Sequence, residues 1–199
     1  MRTSPEAIRE RYERIAERLG PDVTIVAATK YVSISDMAVL ADAGIRVVGE
    51  NRAQDLVAKY ATYGTAFRWH FIGHLQSRKA KIVNDVCELC HSLDSLSAAR
   101  RLTIPALVEV NLSEEPTKSG VTPEELPALL AAYPAVRGLM TMPPATPDPE
   151  ASRPYFRRLR ELAEEHGLTE LSMGTSQDYA VAADEGATLV RVGSVLWQG

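Results

Sequence analysis

The sequence predicts an α/β protein, a closed (β/α)8 TIM barrel with one extra helix in front of the first strand. Eight short apolar runs alternate with amphipathic stretches along the 199 residues, and each run is separated from the next by a helical stretch. Such alternation imposes parallel strands joined by right-handed crossovers. Eight parallel strands without a reversal favour a barrel over an open doubly wound sheet. We expect residues 1–199 to form a single domain.

The first element is an amphipathic helix within MRTSPEAIRERYERIAERLG. The eight predicted strands are apolar and lie at residues 23–29, 45–50, 68–73, 86–92, 104–112, 136–142, 168–174 and 188–194. The helices between them are predicted to begin near Ser33, Asn51, Ser77, Ser95, Pro123, Asp148 and Ser176. Ser, Asn and Asp favour a helix start because they accept hydrogen bonds from the first turn, and Pro suits an early helical position.

Composition excludes several classes of protein. The balance of 22 basic against 26 acidic residues gives a net charge of −4, without a basic tract, which argues against nucleic acid as the main partner. No apolar run is long enough to span a membrane, and the charged first residues do not form a signal peptide. Two cysteines do not make a disulfide framework, so we expect a cytoplasmic protein.

The segment CELCH, residues 87–91, matches the pattern of covalent haem attachment and half of a zinc site. It lies across a predicted strand, where Cys87 and Cys90 point to opposite faces. Two buried structural cysteines are therefore the favoured interpretation.

A lysine, Lys30, ends the first predicted strand in VTIVAATKYVS. Active sites of such barrels lie at the carboxyl ends of the strands. One interpretation is a lysine whose charged end reaches solvent at the rim. The other is a nucleophilic amine, poorly solvated among Val26, Ala27 and Ala28, that forms a Schiff base with a carbonyl compound.

Two segments after the seventh and eighth strands, LSMGTSQD and RVGS, predict a phosphate site. Gly174 lets the backbone approach a ligand, and Thr175 and Ser176 offer hydroxyls at a helix start. Gly193 and Ser194 repeat this chemistry one strand further on. Backbone N–H groups at helix starts favour anions, and barrels often hold phosphate at these two strands.

Arg191 alternates with Leu189 and Gly193 in the eighth strand, so these three share a face. If that face is the inner one, the guanidinium needs a partner, and a heterocyclic ring nitrogen is suitable.

The residues alone do not decide the class of protein, because a Schiff-base lysine with a phosphate cradle also describes an aldolase acting on sugar phosphates.

Eight motifs in order resemble those of the pyridoxal 5′-phosphate (PLP) homeostasis proteins, single-domain proteins similar to the N-terminal barrel of alanine racemase. They are VAATKYVS, GENRAQD, WHFIGHLQSRKAK, HSLDS, VEVNLSEEPTKSG, VRGLMTM, LSMGTSQD and VRVGS. The similarity extends from about residue 5 to residue 196. Two positions depart from the family pattern: Thr175 stands where methionine is frequent, and Arg52 where an aromatic residue is common.

The resemblance implies PLP as cofactor, bound as a Schiff base to Lys30, with Arg191 facing the pyridine nitrogen. It implies that Asn51 and Asn111 line the pocket. The implied phosphate-binding residues are Ser172, Met173, Gly174, Thr175, Ser176, Gly193 and Ser194. The implied role is PLP homeostasis: holding the cofactor and delivering it, with apo forms of PLP-dependent enzymes as partners. We expect a monomer without enzymatic turnover.

The alternative function is a weak PLP-dependent amino-acid racemase. Racemisation needs acid and base groups on opposite faces of the cofactor, and Lys30 serves one face. In alanine racemases the second base comes from a second domain of the partner subunit, and we do not expect such a domain in this sequence. An arginine at the ring nitrogen also disfavours its protonation and so weakens the electron sink.

Overall fold

The computed structural model describes residues 3–113 and 119–198. Eight parallel strands close into a barrel in chain order, with the last paired to the first. The strands are β1 Thr24–Ala28, β2 Val47–Glu50, β3 Arg68–Phe71, β4 Leu89–Leu93, β5 Ala106–Glu109, β6 Val136–Met140, β7 Glu170–Thr175 and β8 Leu189–Val192. The predicted (β/α)8 barrel is confirmed. Part of the motif VEVNLSEEPTKSG, residues 114–118, lies outside the described residues.

Helices alternate with these strands and cover the barrel. They are α1 Pro5–Leu19, α2 Met37–Asp42, α3 Ala53–Tyr63, α4 Ala80–Val86, α5 Leu96–Ala99, α6 Leu126–Ala132, α7 Arg153–Glu165, α8 Tyr179–Asp184 and α9 Ser194–Trp197. The extra N-terminal helix is confirmed: it begins at Pro5 because the Ser4 hydroxyl accepts a hydrogen bond from the Ala7 amide. It packs against α2, α8 and α9.

The barrel has an inner and an outer core because successive strand residues point to opposite faces. The outer core lies between strands and helices. The inner core fills the barrel with Val26, Val47, Leu89, Leu107, Met140 and Leu189. Layers of side chains of this kind fill the interior of such barrels. A ligand can therefore bind only at the ends of the strands.

The two cysteines are buried free thiols, as predicted. The expectation that both lie in one strand is wrong, because α4 continues to Val86 and Cys87 follows its end, while Cys90 lies in β4. Burial raises the pKa of the Cys90 thiol to about 11. Within residues 3–113 and 119–198 no cluster of His, Cys, Asp and Glu is suited to a metal ion, and no helix is both long and apolar enough to cross a membrane.

A buried ion pair holds the end of β1 in place. The Glu50 carboxylate is fully buried at the end of β2 and pairs with Lys59 of α3. The Lys59 ammonium also donates to the Thr29 carbonyl at 2.7 Å, and the Thr29 hydroxyl donates to Glu50 at 2.7 Å. Because Thr29 directly precedes Lys30, this network fixes the backbone from which Lys30 projects.

Replacing Lys59 by alanine should lower the free energy of unfolding by about 3–5 kcal/mol, because it leaves the Glu50 charge buried and unpaired. Urea unfolding followed by circular dichroism measures the change. Lys81→Ala is the matched control, since it breaks an exposed ion pair with Asp85 and should cost much less. Equal losses in the two variants would contradict the role given to the buried pair.

Candidate functional site

A cavity of about 810 Å³ opens at the carboxyl ends of the strands. It is of the size that small-molecule sites usually have. Seven of the ten predicted binding residues line it: Lys30, Asn51, Thr175, Ser176, Arg191, Gly193 and Ser194. Loops after β1, β2, β7 and β8 thus meet at one place, because parallel strands all end at the same edge of the barrel.

Lys30 lies at the rim of this cavity with an exposed side chain. Strand β1 ends at Ala28, two residues earlier than Lys30, and Thr29 takes the last buried position. The expectation that Lys30 is poorly solvated among apolar neighbours is therefore wrong. Its ammonium instead lies 4.7 Å from the centroid of the Tyr31 ring, a cation–π contact.

The loops after β7 and β8 are joined by one hydroxyl. Ser176 Oγ accepts hydrogen bonds from the amides of Gly193 at 2.9 Å and Val195 at 3.4 Å. The exposed Ser194 lies between these two residues and begins α9. Because Ser176 accepts from both amides, its own hydroxyl hydrogen and that of Ser194 are donors that this wall of the cavity offers to an anion.

Thr175 and Gly174 serve the local structure of this loop. The amide and hydroxyl of Thr175 both donate to Asp178 Oδ1, at 2.7 and 3.0 Å. Gly174 has φ of 91°, and a Cβ there would lie 2.6 Å from Ala182 Cβ. Glycine is thus required by the backbone and by the packing of α8, and it does not line the cavity.

Two further predicted binding residues also lie away from the cavity lining. The Met173 side chain is fully buried in the outer core, because strand alternation turns it towards the helices. Ser172 points into the barrel but is fully buried beneath Arg191. Asn111 is not among the lining residues either, and its side-chain oxygen accepts from the amide and hydroxyl of Ser113, at 3.0 and 2.9 Å.

Arg191 faces the inside of the barrel and reaches the cavity while 94% buried. Its guanidinium donates to Ser172 Oγ at 2.5 Å, to the Thr141 carbonyl at 3.1 Å and to Met142 Sδ at 2.9 Å. Burial lowers the pKa of Arg191 to about 10, which leaves it cationic at neutral pH. The partner that an inward arginine requires is thus supplied in part by the protein itself.

A chain of two histidines supports Ser172 from below. His91 Nδ1 lies 2.7 Å from Ser172 Oγ, and His91 Nε2 lies 2.9 Å from His70 Nδ1. Burial lowers the pKa of His70 to about 4 and that of His91 well below its ordinary value, so both rings are neutral. Sequence reasoning missed His91, although it lies two residues after Leu89 of the inner core in β4 and therefore shares the inner face.

Sequence reasoning also missed Glu109, the last residue of β5. Its side chain lines the cavity while the residue is only 8% exposed. Burial and the charge of Asp94 raise the pKa of Glu109 to about 7. The signal was present in the sequence, since Glu109 alternates with Leu107 of the inner core.

The whole chain resembles one group of proteins. The alanine racemase N-terminal domain family matches residues 3–199. The pyridoxal phosphate homeostasis protein of Aquifex aeolicus is 40% identical over 212 residues, which span 94% of this chain and 93% of the relative. That of Pseudomonas aeruginosa is 37% identical over 94% of this chain and 90% of its own length.

Solved structures agree with this assignment. PipY of Synechococcus elongatus, determined with PLP bound, superposes with a TM-score of 0.84 at 33% identity, covering 96% of this chain and 99% of PipY. An arginine decarboxylase of Paramecium bursaria Chlorella virus shares the fold alone, with a TM-score of 0.75 at 14% identity. By the match of motifs, barrel and full-length relatives, the chain belongs to the pyridoxal phosphate homeostasis protein family.

Proposed function

We propose that this protein binds PLP as a Schiff base on Lys30 and acts in PLP homeostasis, holding the cofactor without catalytic turnover. The observation that carries the proposal is the meeting of Lys30, Arg191 and the β7 and β8 loops around one cavity. The relatives' role and the PLP in PipY support it.

The residues that line the cavity fit PLP chemically. Ser176 accepts from the amides of Gly193 and Val195 and keeps its own hydroxyl hydrogen to donate. With the hydroxyl of Ser194 it forms a pair of donors in the cavity wall suited to the phosphate group. The Asn51 side-chain oxygen is buried and has no hydrogen-bond partner among the described residues. An acceptor left in this way matches a hydroxyl of a bound ligand.

The remaining predicted residues contribute to the site indirectly. Ser172 orients Arg191, Gly174 permits the turn after β7, and Met173 anchors that strand in the outer core. We assign these three residues to the support of the site.

The positive charge of Arg191 favours a role in which the protein holds the cofactor, and it disfavours catalysis on a substrate. PLP, when bound, supplies an electron sink whose strength depends on the group facing its ring nitrogen. Arg191 is cationic, and it is held by Ser172 and the Thr141 carbonyl inside the barrel. A fixed positive charge at that position opposes protonation of the ring nitrogen.

The setting of the cavity supports delivery to other proteins. Lys30 and Ser194 are exposed at the rim, where an apo form of a PLP-dependent enzyme could approach. We propose such enzymes as partners of a monomeric, cytoplasmic protein. The two free thiols suit a reducing compartment.

PLP added to the wild type should produce the near-ultraviolet and visible absorbance of a Schiff base. The Lys30→Ala variant should lack this absorbance, because it has no amine at that position. Spectra of protein dialysed against PLP measure this directly. Lys81→Ala, which removes an exposed lysine that does not line the cavity, should keep the wild-type spectrum. A wild type that takes up no PLP, or a Lys30→Ala variant with an unchanged spectrum, would refute the proposal.

Ser176→Ala should weaken PLP binding about tenfold, because a charge-assisted contact to phosphate and the acceptor for two amides are lost together. Equilibrium dialysis with PLP and with pyridoxal, which lacks the phosphate, measures the effect. The loss should be large for PLP and small for pyridoxal. Ser97→Ala, at an exposed position of α5, is the control. Equal losses for both ligands would place the phosphate elsewhere.

A further inference from the structure

Glu109 differs from the other buried carboxylates of the described residues because it lacks a protein partner. Glu50 pairs with Lys59, Asp178 accepts from Ser152, and Glu185 pairs with three arginines of α7. Glu109 is 92% buried, and its carboxylate makes neither a hydrogen bond nor an ion pair within residues 3–113 and 119–198, although its backbone carbonyl accepts from the Val121 amide. The carboxylate lies in the cavity wall without a protein partner, so it is available to a ligand.

The charged groups around Glu109 come from three other strands. Asp94 follows β4 and, together with burial, raises the pKa of Glu109 to about 7, whereas Arg191 of β8 and His74 after β3 act in the opposite direction. The Asp94 carboxylate lies 3.0 Å from His74 Nδ1 and its side chain is 9% exposed. Two carboxyl groups therefore give this side of the cavity a negative potential above about pH 7.

The cofactor alone does not satisfy the acceptors of the cavity. Asn51 Oδ1 is a buried acceptor without a partner among the described residues, and Asn51 lines the same cavity as Glu109. PLP presents phosphate oxygens, a carbonyl oxygen and a ring nitrogen as acceptors, and one ring hydroxyl as a donor. One hydroxyl serves one of the two acceptors, so the other is open to a donor from water or from a second ligand.

We infer that Glu109 binds the ammonium group of a small amine, amino acids included, that enters the cavity beside the cofactor. The negative side formed by Glu109 and Asp94 selects a cation with N–H donors over a neutral hydroxyl compound. Amines are also the compounds that react with an aldehyde held at Lys30. The inference rests on the proposed function for the identity of that neighbouring cofactor.

Trimethylammonium is a suitable probe because it carries a positive charge and one N–H group but does not condense with an aldehyde. Its binding to PLP-loaded protein is measured by isothermal titration calorimetry, with neutral tert-butanol as the comparison of similar size. Glu109→Gln should weaken trimethylammonium binding about 10- to 100-fold and leave tert-butanol binding unchanged. Asp36→Asn is the matched control, since Asp36 also lines the cavity but already accepts from Ser33, and it should bind as the wild type does.

The pH dependence gives a second readout. Ionisation of Glu109 near pH 7 should make trimethylammonium bind more tightly as pH rises through that value. His74→Gln should retain this rise, which separates Glu109 from the neighbouring imidazole, and Glu109→Gln should lose it.

Equal binding of trimethylammonium and tert-butanol, equal affinities in wild type and Glu109→Gln, or a flat profile in His74→Gln would overturn the inference. The flat profile decides the matter even if Glu109→Gln does not fold. The same titration on PLP-free protein separates the two proposals: ammonium binding there without any uptake of PLP would sustain the role of Glu109 and refute the proposed function.

Discussion

A positive charge buried inside the barrel determines the arrangement of the site. Arg191 lies on the inner face of β8, where an unsatisfied guanidinium would be prohibitively costly. Ser172 and the Thr141 carbonyl therefore accept from it, and His91 and His70 continue the hydrogen bonding into the barrel. Both imidazoles remain neutral, so the network does not place further charge below the guanidinium. The polar interior of an otherwise apolar barrel follows from this one residue.

The cavity above Arg191 has regions of different chemistry. The hydroxyls of Ser176 and Ser194 lie where the β7 and β8 loops meet, and this region suits an anion. Glu109 and Asp94 make the β4–β5 side negative above about pH 7. The cavity therefore offers separate places for an anionic group and a cationic group, and Arg191 of β8 reaches the same cavity. That division is a property of several strand ends and is absent from any single motif.

Alternation along the strands made the barrel and the inward direction of Arg191 predictable. It could have predicted Glu109 and His91 by the same rule, because both share a face with inner-core positions. The exposure of Lys30 was not predictable, since strand ends are uncertain by a residue or two and each residue changes the face. Partnerships between distant elements, such as Glu50 with Lys59, depend on how α3 packs and have no local pattern.

The same physical features suit the proposed role of holding a reactive aldehyde with little turnover. Lys30 projects from a backbone fixed by Thr29, Glu50 and Lys59, so the amine is anchored at its base, yet its side chain is open to solvent at the rim. Enzymes that use such a cofactor for chemistry usually exclude water from the reacting groups. In the proposed role, an anchored but solvated lysine would allow the ligand to be exchanged, and the buried cation of Arg191 would weaken the electron sink of the cofactor. Stable attachment and easy release are then compatible within one cavity.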